Sequence, residues 1–510
     1  MKLVPTRGVP SRARTALLLA FVLTIMAGEP ARAASLAVNA GGDLQAALEA
    51  AKPGDVIVLQ AGARFVGQFR LPPKPSGAVI TIRSSATLPD RRITPADIGL
   101  LPTIAPEVIA AVLDGTGASN WRLDGIRFES VSNGQGEVIL LHNATNIYMD
   151  RLLIVAGPLG QKRGIRGNGR QITLTRSHIA NIWREGQDSQ TFCAWDGAGP
   201  YTLTDNFLEA ASENVMFGGA DSLSADRIPS DILIEGNHFT KRLEWKGVSG
   251  KVVKNLFELK AAKRITIRGN TFERNWTDAQ TGYAILMKAT NQNGAAPWSA
   301  LEDVIFENNL VRDTENGFNL LGNDYEHPSG RVTRVTIRNN LLLTSGVAFQ
   351  LGGEIGQLTI DHNTVHQGYT MMSLYKGTVW NAGTAARRPG TFAVEHLTVT
   401  NNMALHNQYG VKGQSTGIGT PSLTAHTLAF NWTHNVLAGA AGYPYPVVTW
   451  MPTPTEYRAQ FDADYRLTAQ SIYHNKATDG SDLGFNWVGS MVQVRRPQAP
   501  GNVRVVAGVP

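Results

Sequence analysis

The sequence predicts an all-β fold, a right-handed parallel β-helix with a short N-terminal capping helix, on three observations. One stretch of text keeps returning: ITIRGNTFERN at 265–275, VIFENNLVRDT at 304–314, VTIRNNLLLTS at 335–345, LTIDHNTVHQG at 358–368 and LTVTNNMALHN at 397–407. Each copy alternates apolar and polar residues, reaches a polar turn ending in Asn, and starts a second short strand one residue later. The residues in that slot, Asn270, Asn309, Asn340, Asn363 and Asn402, follow one another at 39, 31, 23 and 39 residues. A constant corner with a variable interval makes the corner structural and the excess loop, since a coil of three short strands needs roughly 20–25 residues. Coils stacked about 4.8 Å apart bury a common apolar stripe and align like residues into ladders. Asn suits the corner because it tolerates left-handed backbone geometry and hydrogen-bonds its own main chain.

Taken in order, the chain opens with Lys2, Arg7, Arg12 and Arg14 before an apolar run from Ala16 to Ala27, and then Ala31-Arg32-Ala33. That pattern predicts a secretory signal peptide over 1–33, a mature start near Ala34, and a secreted or periplasmic address; the apolar run is short for a membrane span. Residues 34–60 read as the N-terminal cap and first strand. Leu44, Ala47, Leu48 and Ala51 form a helical stripe, Asp43 is its N-cap, and Pro53-Gly54 stops it before a strand over 55–60. A short amphipathic helix covers the apolar end that a β-helix would otherwise leave open. The helix, the PGD turn and the VIVLQAG strand, together with the Asn-cornered coils, resemble secreted proteins of the pectate-lyase-like β-helix superfamily. That resemblance covers most of the mature chain and implies the fold.

The coils are expected over 61–440. The stretch 84–110, with Pro89, Pro95, Pro102 and Pro106, reads as a surface excursion, and coil text resumes at 121–130, 146–155, 172–181, 201–210 and 232–241. A second excursion at 218–231 carries Asp221, Asp226 and Asp231, a solvated loop or, alternatively, a calcium site (Ca2+). One further coil is expected at 426–439. The proline- and aromatic-rich text of 441–510 reads as a C-terminal cap or an irregular segment laid along the solenoid. No linker separates two cores, so one domain with caps is expected.

Charge and cysteine content narrow the function classes. The whole chain carries +6, but five basic residues and Glu29 lie within 1–33, so +2 remains beyond it. No global nucleic-acid footprint follows. Cys193 is the sole cysteine, so no intrachain disulfide forms despite the exported address.

The chemistry is expected on the third strand of each coil, where alternation separates the faces. In NLFELK at 255–260, Phe257 and Leu259 point inward, which turns Leu256, Glu258 and Lys260 outward. In AILMKAT at 284–290, Ile285, Met287 and Ala289 are inward and Lys288 outward; in FNLLGND at 318–324, Asn319 faces out. In GVAFQLGG at 346–353, Val347, Phe349 and Leu351 are inward and Gln350 outward. Glu258, Lys260 and Lys288 are therefore the candidate catalytic residues. A lyase acting on uronic acids must neutralise a carboxylate, remove the proton beside it and protonate the leaving oxygen, and cationic residues on neighbouring rungs supply base and clamp. The bland reading is a solvated strand with a weak surface ion pair. Lys241, Arg242 and Trp245 in KRLEWKG, with Trp298 and Trp276 in the loops flanking Lys288, pair cations with indoles that suit an acidic sugar; they equally suit ordinary packing. Lys241, Arg242, Trp245, Trp298, Asn319 and Gln350 are the candidate substrate-binding residues.

The layout also resembles the chondroitinase B and alginate lyase type, where a strand bearing Glu and Lys precedes an Arg-His-Gly strand on the next coil. The resemblance implies that Lys260 is the base and Lys288 stands at the arginine position. Arg-His-Gly itself is absent, and the acid-to-lysine spacing is two.

Other constellations are missing from the sequence. No Asn-Thr-Asp, Asp-Asp or Gly-His-Gly text supports a two-carboxylate hydrolase. Asp361-His362 falls at the structural corner and reads as a turn. His142, His178, His238 and His396 lack zinc-ligand spacing, and no Gly-rich loop opens a helix to cradle a phosphate. The sequence thus points to a polysaccharide-active β-helix, a lyase on an acidic polymer, with a non-catalytic carbohydrate-binding or envelope-associated β-helix as the alternative.

Overall fold

The structure, a computed structural model, describes residue 1 and residues 33–74, 77–107, 111–131, 133–381 and 384–486. Residues 2–32 of the expected export signal and 487–510 of the expected C-terminal cap lie outside the described residues. Among the described residues no helix is long and apolar enough to cross a membrane.

Three long all-parallel sheets, of 14, 14 and 12 strands, run the length of the molecule and form the faces of a right-handed parallel β-helix. We call them first, second and third in the order that each coil visits them. Helix α1, Leu44–Ala50, closes one end. The Asp43 carboxylate accepts the Ala46 N–H at 2.9 Å, and Leu44 and Leu48 are buried.

The first corner explains the repeat, with one difference from the expected geometry. The left-handed residue is the one before the Asn: Gly236, Gly269, Asn308, Asn339, His362, Asn401 and His434 have φ between 50° and 67°. His362 of the Asp361-His362 pair is therefore a corner residue. The Asn that follows turns inward and is buried. Asn309 Oδ1 accepts both the backbone N–H and the Nδ2–H of Asn270 at 2.9 Å, while its own Nδ2 donates to the Ile267 and Glu307 carbonyls. The same exchange runs from Asn206 through Asn237, Asn270, Asn309, Asn340, Asn363 and Asn402 to Asn435. Asn206, Asn237 and Asn435 extend the five residues read from sequence. Buried amides are tolerated here because each finds its partner one coil away.

Inside the coils Phe239, Phe272, Phe306, Phe318 and Phe349 form an aromatic column with successive ring centroids 4.5–5.4 Å apart. Outside, the first sheet carries an exposed ionic ladder, Asp231–Arg264, Glu235–Arg268, Asp303–Arg334 and Glu307–Arg338. Such exposed pairs contribute little each.

Several local expectations are corrected. The stretch 84–110 is no mere excursion: Thr103–Ala105 is a second-sheet strand between Arg64–Val66 and Arg127–Phe128, and Ile93 and Leu101 pack on Leu153. Leu256 is buried in the core, because it sits at the corner leading into the third sheet, where alternation has not begun. Val347 is half-buried and Ala348 is buried in the core instead. The C-terminal segment follows the second sheet, burying Tyr457, Tyr473 and Leu483 against Met403, Leu405, Val436 and Ala438.

Candidate functional site

The outer face of the third sheet carries the candidate site. Strand Phe257–Leu259 pairs with Tyr283–Lys288 so that Glu258 faces Leu286 and Leu259 faces Met287, which sets Lys260 and Lys288 on adjacent rungs. The row through Glu258 continues to Asn319, Gln350, Ser373 and Lys412. Gln350 Oε1 accepts the Tyr283 hydroxyl at 2.7 Å, and Gln350 Nε2 lies 3.4 Å from Asn319 Oδ1. Beyond it, Gln350, Ser373, Tyr375, Lys412 and Gln414 line a cavity of about 320 Å³ on this face. The described loops rise on both sides. Those at 241–256 and 276–282 bound one edge; those at 218–224, 289–300 and 322–331 bound the other, tied by Asn291 N–H to Asp324 and Trp298 Nε1–H to Ser222 Oγ, both at 2.9 Å.

Burial and neighbouring charges shift the pKa values of the two lysines in opposite directions. Glu258 is completely buried, with Oε1 2.7 Å from Lys260 Nζ. Burial by itself would lower Lys260, but the Glu258 charge and hydrogen bond, with help from Glu213 and Asp188, outweigh it and raise its pKa above the ordinary lysine value. Lys288 has no such contact. Its Nζ lies 4.0 Å from Asp324 Oδ1 and 4.7 Å from the centre of the Tyr325 ring. Burial lowers its pKa, the neighbouring Lys260 charge lowers it further, and Asp324 only partly offsets them. Glu258 and Lys260 are thus no solvated surface pair.

Sequence reasoning missed Glu213, Lys254, Asp188 and Asp324 on this face. Glu213 is 1% exposed and accepts from Gln190 Nε2 at 2.8 Å, with Lys254 Nζ 3.4 Å away; burial and the Glu258 charge raise its pKa. Lys254 in turn reaches Asp188 at 2.6 Å. Alternation gave no signal for Glu213, which has the parity of the inward Val215 and Phe217 and lies before their strand of just three residues.

Three candidate binding residues are placed elsewhere. Lys241 is fully buried, its ammonium bound by protein oxygens, so no sugar reaches it. Arg242 pairs at 2.6 Å with Glu209, whose strand Phe207–Ala210 belongs to the second sheet. Trp245 is 4% exposed, packed with Trp276, Val253 and Ala211 inside the loop wall, and offers no ring face to a ligand; Trp276 is nearly as covered and lines a cavity with Lys246, Thr314 and His366 on the second-sheet side, away from this face. Trp298 is half-buried on the opposite wall.

The aspartates of 218–231 do not converge on a cation. Asp221 accepts the backbone N–H groups of Asn293 and Ala295, Asp226 accepts the Ser224 hydroxyl, and Asp231 pairs with Arg264. Among the described residues no group of three or more His, Cys, Asp or Glu is arranged to hold a metal ion.

No family model and no curated protein sequence matches the chain. Among solved structures it is similar to an alginate lyase of the PL6 family, with TM-score 0.50 and 15% identity over 89% of this chain and 59% of that one. It is also similar to a mannuronic-acid-specific family 6 polysaccharide lyase from human gut microbiota, at TM-score 0.45 and 13% identity over 84% and 93% of the two chains. A third is the catalytic unit of a GH87 α-1,3-glucanase from Streptomyces thermodiastaticus, at 0.48 and 13% over 83% and 70%. The chain spans about three fifths of the length of the first of these. At such identities the likeness is one of fold, and the fold is a right-handed parallel β-helix.

Proposed function

We propose that this is an exported, polysaccharide-active β-helix enzyme that cleaves an acidic, uronic-acid polymer by β-elimination on the outer face of the third sheet. The observation that carries the reading is the pair of lysines on adjacent rungs, one held protonated by Glu258 and the other with its proton weakened by burial and like charge. This assigns the roles the other way round from the expectation read off the sequence. Lys260 is the permanent cation that neutralises the substrate carboxylate, which acidifies the adjacent C5–H. Lys288, as the free amine, takes the C5 proton; the C5–H electrons form the C4=C5 double bond, and the C4–O4 bond breaks. The resulting Lys288 ammonium gives that proton to O4 of the departing sugar, so acid and base are one residue and the site returns to its starting state. Asn319, Gln350 and the cavity reaching Lys412 extend the face along the solenoid, where neighbouring sugars of a polymer would lie.

Incubation with a panel of uronic-acid polymers tests this reading. The expected product carries a new unsaturated sugar absorbing in the ultraviolet. Retention of the polymer with no such absorbance would assign the face to a carbohydrate-binding β-helix instead. The exported address is checked by sequencing the N-terminus of protein recovered outside the cytoplasm, expected near Ala34.

A further inference from the structure

Lys241 follows the second-sheet strand His238–Thr240 and is completely buried. Its ammonium donates into a shell of five oxygens: the carbonyls of Ala210 at 3.1 Å, Ala211 at 2.8 Å, Ser212 at 2.5 Å and Asn255 at 3.2 Å, and Oδ1 of Asn214 at 3.1 Å. All five are neutral. Asn214 is held with its oxygen toward the ammonium, because its Nδ2 donates to the Leu208 and Thr240 carbonyls at 2.7 Å each. A convergent shell of carbonyl and amide oxygens is how proteins hold hard cations; here a side chain of the protein fills it.

We propose that Lys241 is a tethered cation: its ammonium occupies an oxygen cage that would otherwise take a free monovalent cation, and in doing so it positions the segments bearing Glu213 and Glu258. Ser212 and Asn214 flank Glu213, and Asn255 lies three residues before Glu258. Three successive carbonyls, Ala210 to Ser212, aim their negative ends at one point, an arrangement that repels itself unless a positive charge sits there. The cage joins the corners before the third sheet in two successive coils, at Asn214 and at Asn255, where the two buried carboxylates meet. Burial pushes Lys241 down to about 7, with the Glu213 charge opposing. The five oxygens favour the proton, since a neutral amine would turn a lone pair toward one of them. The inference concerns how the carboxylates are held and stands apart from the reaction proposed above.

The test compares Lys241→Ala and Lys241→Met with the native protein by thermal unfolding, in tetramethylammonium, ammonium or potassium chloride at one ionic strength. In tetramethylammonium both variants are expected to lose about 5 °C or more. Ammonium or potassium is expected to restore at least half of the loss in Lys241→Ala, whose cage is empty, and none in Lys241→Met, whose side chain fills it. A Lys241→Met protein as stable as the native one would overturn the proposal, because the cage would then need no charge. So would a Lys241→Ala protein that gains no more from ammonium or potassium than from tetramethylammonium. Should Lys241→Ala fail to fold in every salt, Lys241→Met decides alone: native-like unfolding overturns the proposal, and a loss supports it.

Discussion

The buried Asn ladder makes the fold's most direct quantitative prediction, through Asn309→Ala. Asn309 is 0% exposed, and its Oδ1 is the acceptor for two donors of Asn270, the backbone N–H and Nδ2–H, each at 2.9 Å. Its Nδ2 also serves the carbonyls of Ile267 and Glu307 at 2.9 Å. Truncation leaves the Asn270 backbone N–H buried without a partner, while Asn270 Nδ2 keeps the Ile234 and Arg268 carbonyls; an orphaned buried donor costs about 1–3 kcal/mol. The Ile267 and Glu307 carbonyls lose the Asn309 amide donor as well, so the total is at least about 2 kcal/mol before any cavity is counted. Because a solenoid unfolds coil by coil, the loss should appear locally rather than as one global midpoint. Native-state hydrogen exchange is the suitable assay, read at Leu310 and Leu341, whose N–H groups bond to the Asn270 and Asn309 carbonyls. Protection there should fall at least about thirtyfold, the equivalent of 2 kcal/mol. The Asn339→Ala variant, at the left-handed corner next door, is the control for simple disturbance of the turn. Protection at Leu310 and Leu341 within twofold of native in Asn309→Ala would refute the reasoning.

Two further predictions follow from the charges. Burial alone would raise Glu273, but hydrogen bonds and charge from His238 and Arg312 outweigh it and hold its pKa at about 2. A carboxylate depressed on folding contributes stability above its unfolded pKa and loses it as pH falls, here between about 4.5 and about 2, for about 3 kcal/mol in all; Glu273→Gln should therefore flatten the acid limb of the stability curve over that window, and an unchanged limb would contradict the assignment. In the proposed reaction, activity rises with pH as Lys288 loses its proton, and Lys260→Gln removes the like charge one rung away. Two charges one rung apart, about 4.8 Å, in a mostly aqueous dielectric interact by about 1–2 kcal/mol, so the limb should move about one pH unit upward in folded Lys260→Gln; a downward shift would sink the assignment of Lys288.

The first and second sheets were legible because their corners repeat: a left-handed residue followed by a buried Asn returns in nearly the same local text from Asn270 to Asn402. The third sheet was legible only where strands are long, as at Tyr283–Lys288. Val215–Phe217 has three residues, sits between loops, and pairs with residues far along the chain, so neither its strand nor Glu213 stood out. Alternation gave the outward direction of Glu258 correctly, yet not its burial, which comes from neighbouring rungs and the loop walls. Lys241 and Trp245 misled for a related reason. KRLEWKG reads locally as an exposed amphipathic loop, but the carbonyls of 210–212 that enclose Lys241, and the Trp276 that covers Trp245, come from other coils. The lysine roles needed the structure too, because a spacing of two does not say that Glu258 reaches Lys260 and leaves Lys288 to its lowered state.

The central claim, that Lys288 moves the proton while Lys260 holds the carboxylate, is tested most directly by steady-state kinetics of Lys288→Ala against Lys260→Ala on a polymer the native protein cleaves, each confirmed folded. Lys288→Ala is expected to lose kcat by about a hundredfold or more with little change in KM, the range for removing a general base, and Lys260→Ala to raise KM as well as lower kcat, because the same cation binds the carboxylate and acidifies C5–H. Native-like kcat in folded Lys288→Ala would contradict the account.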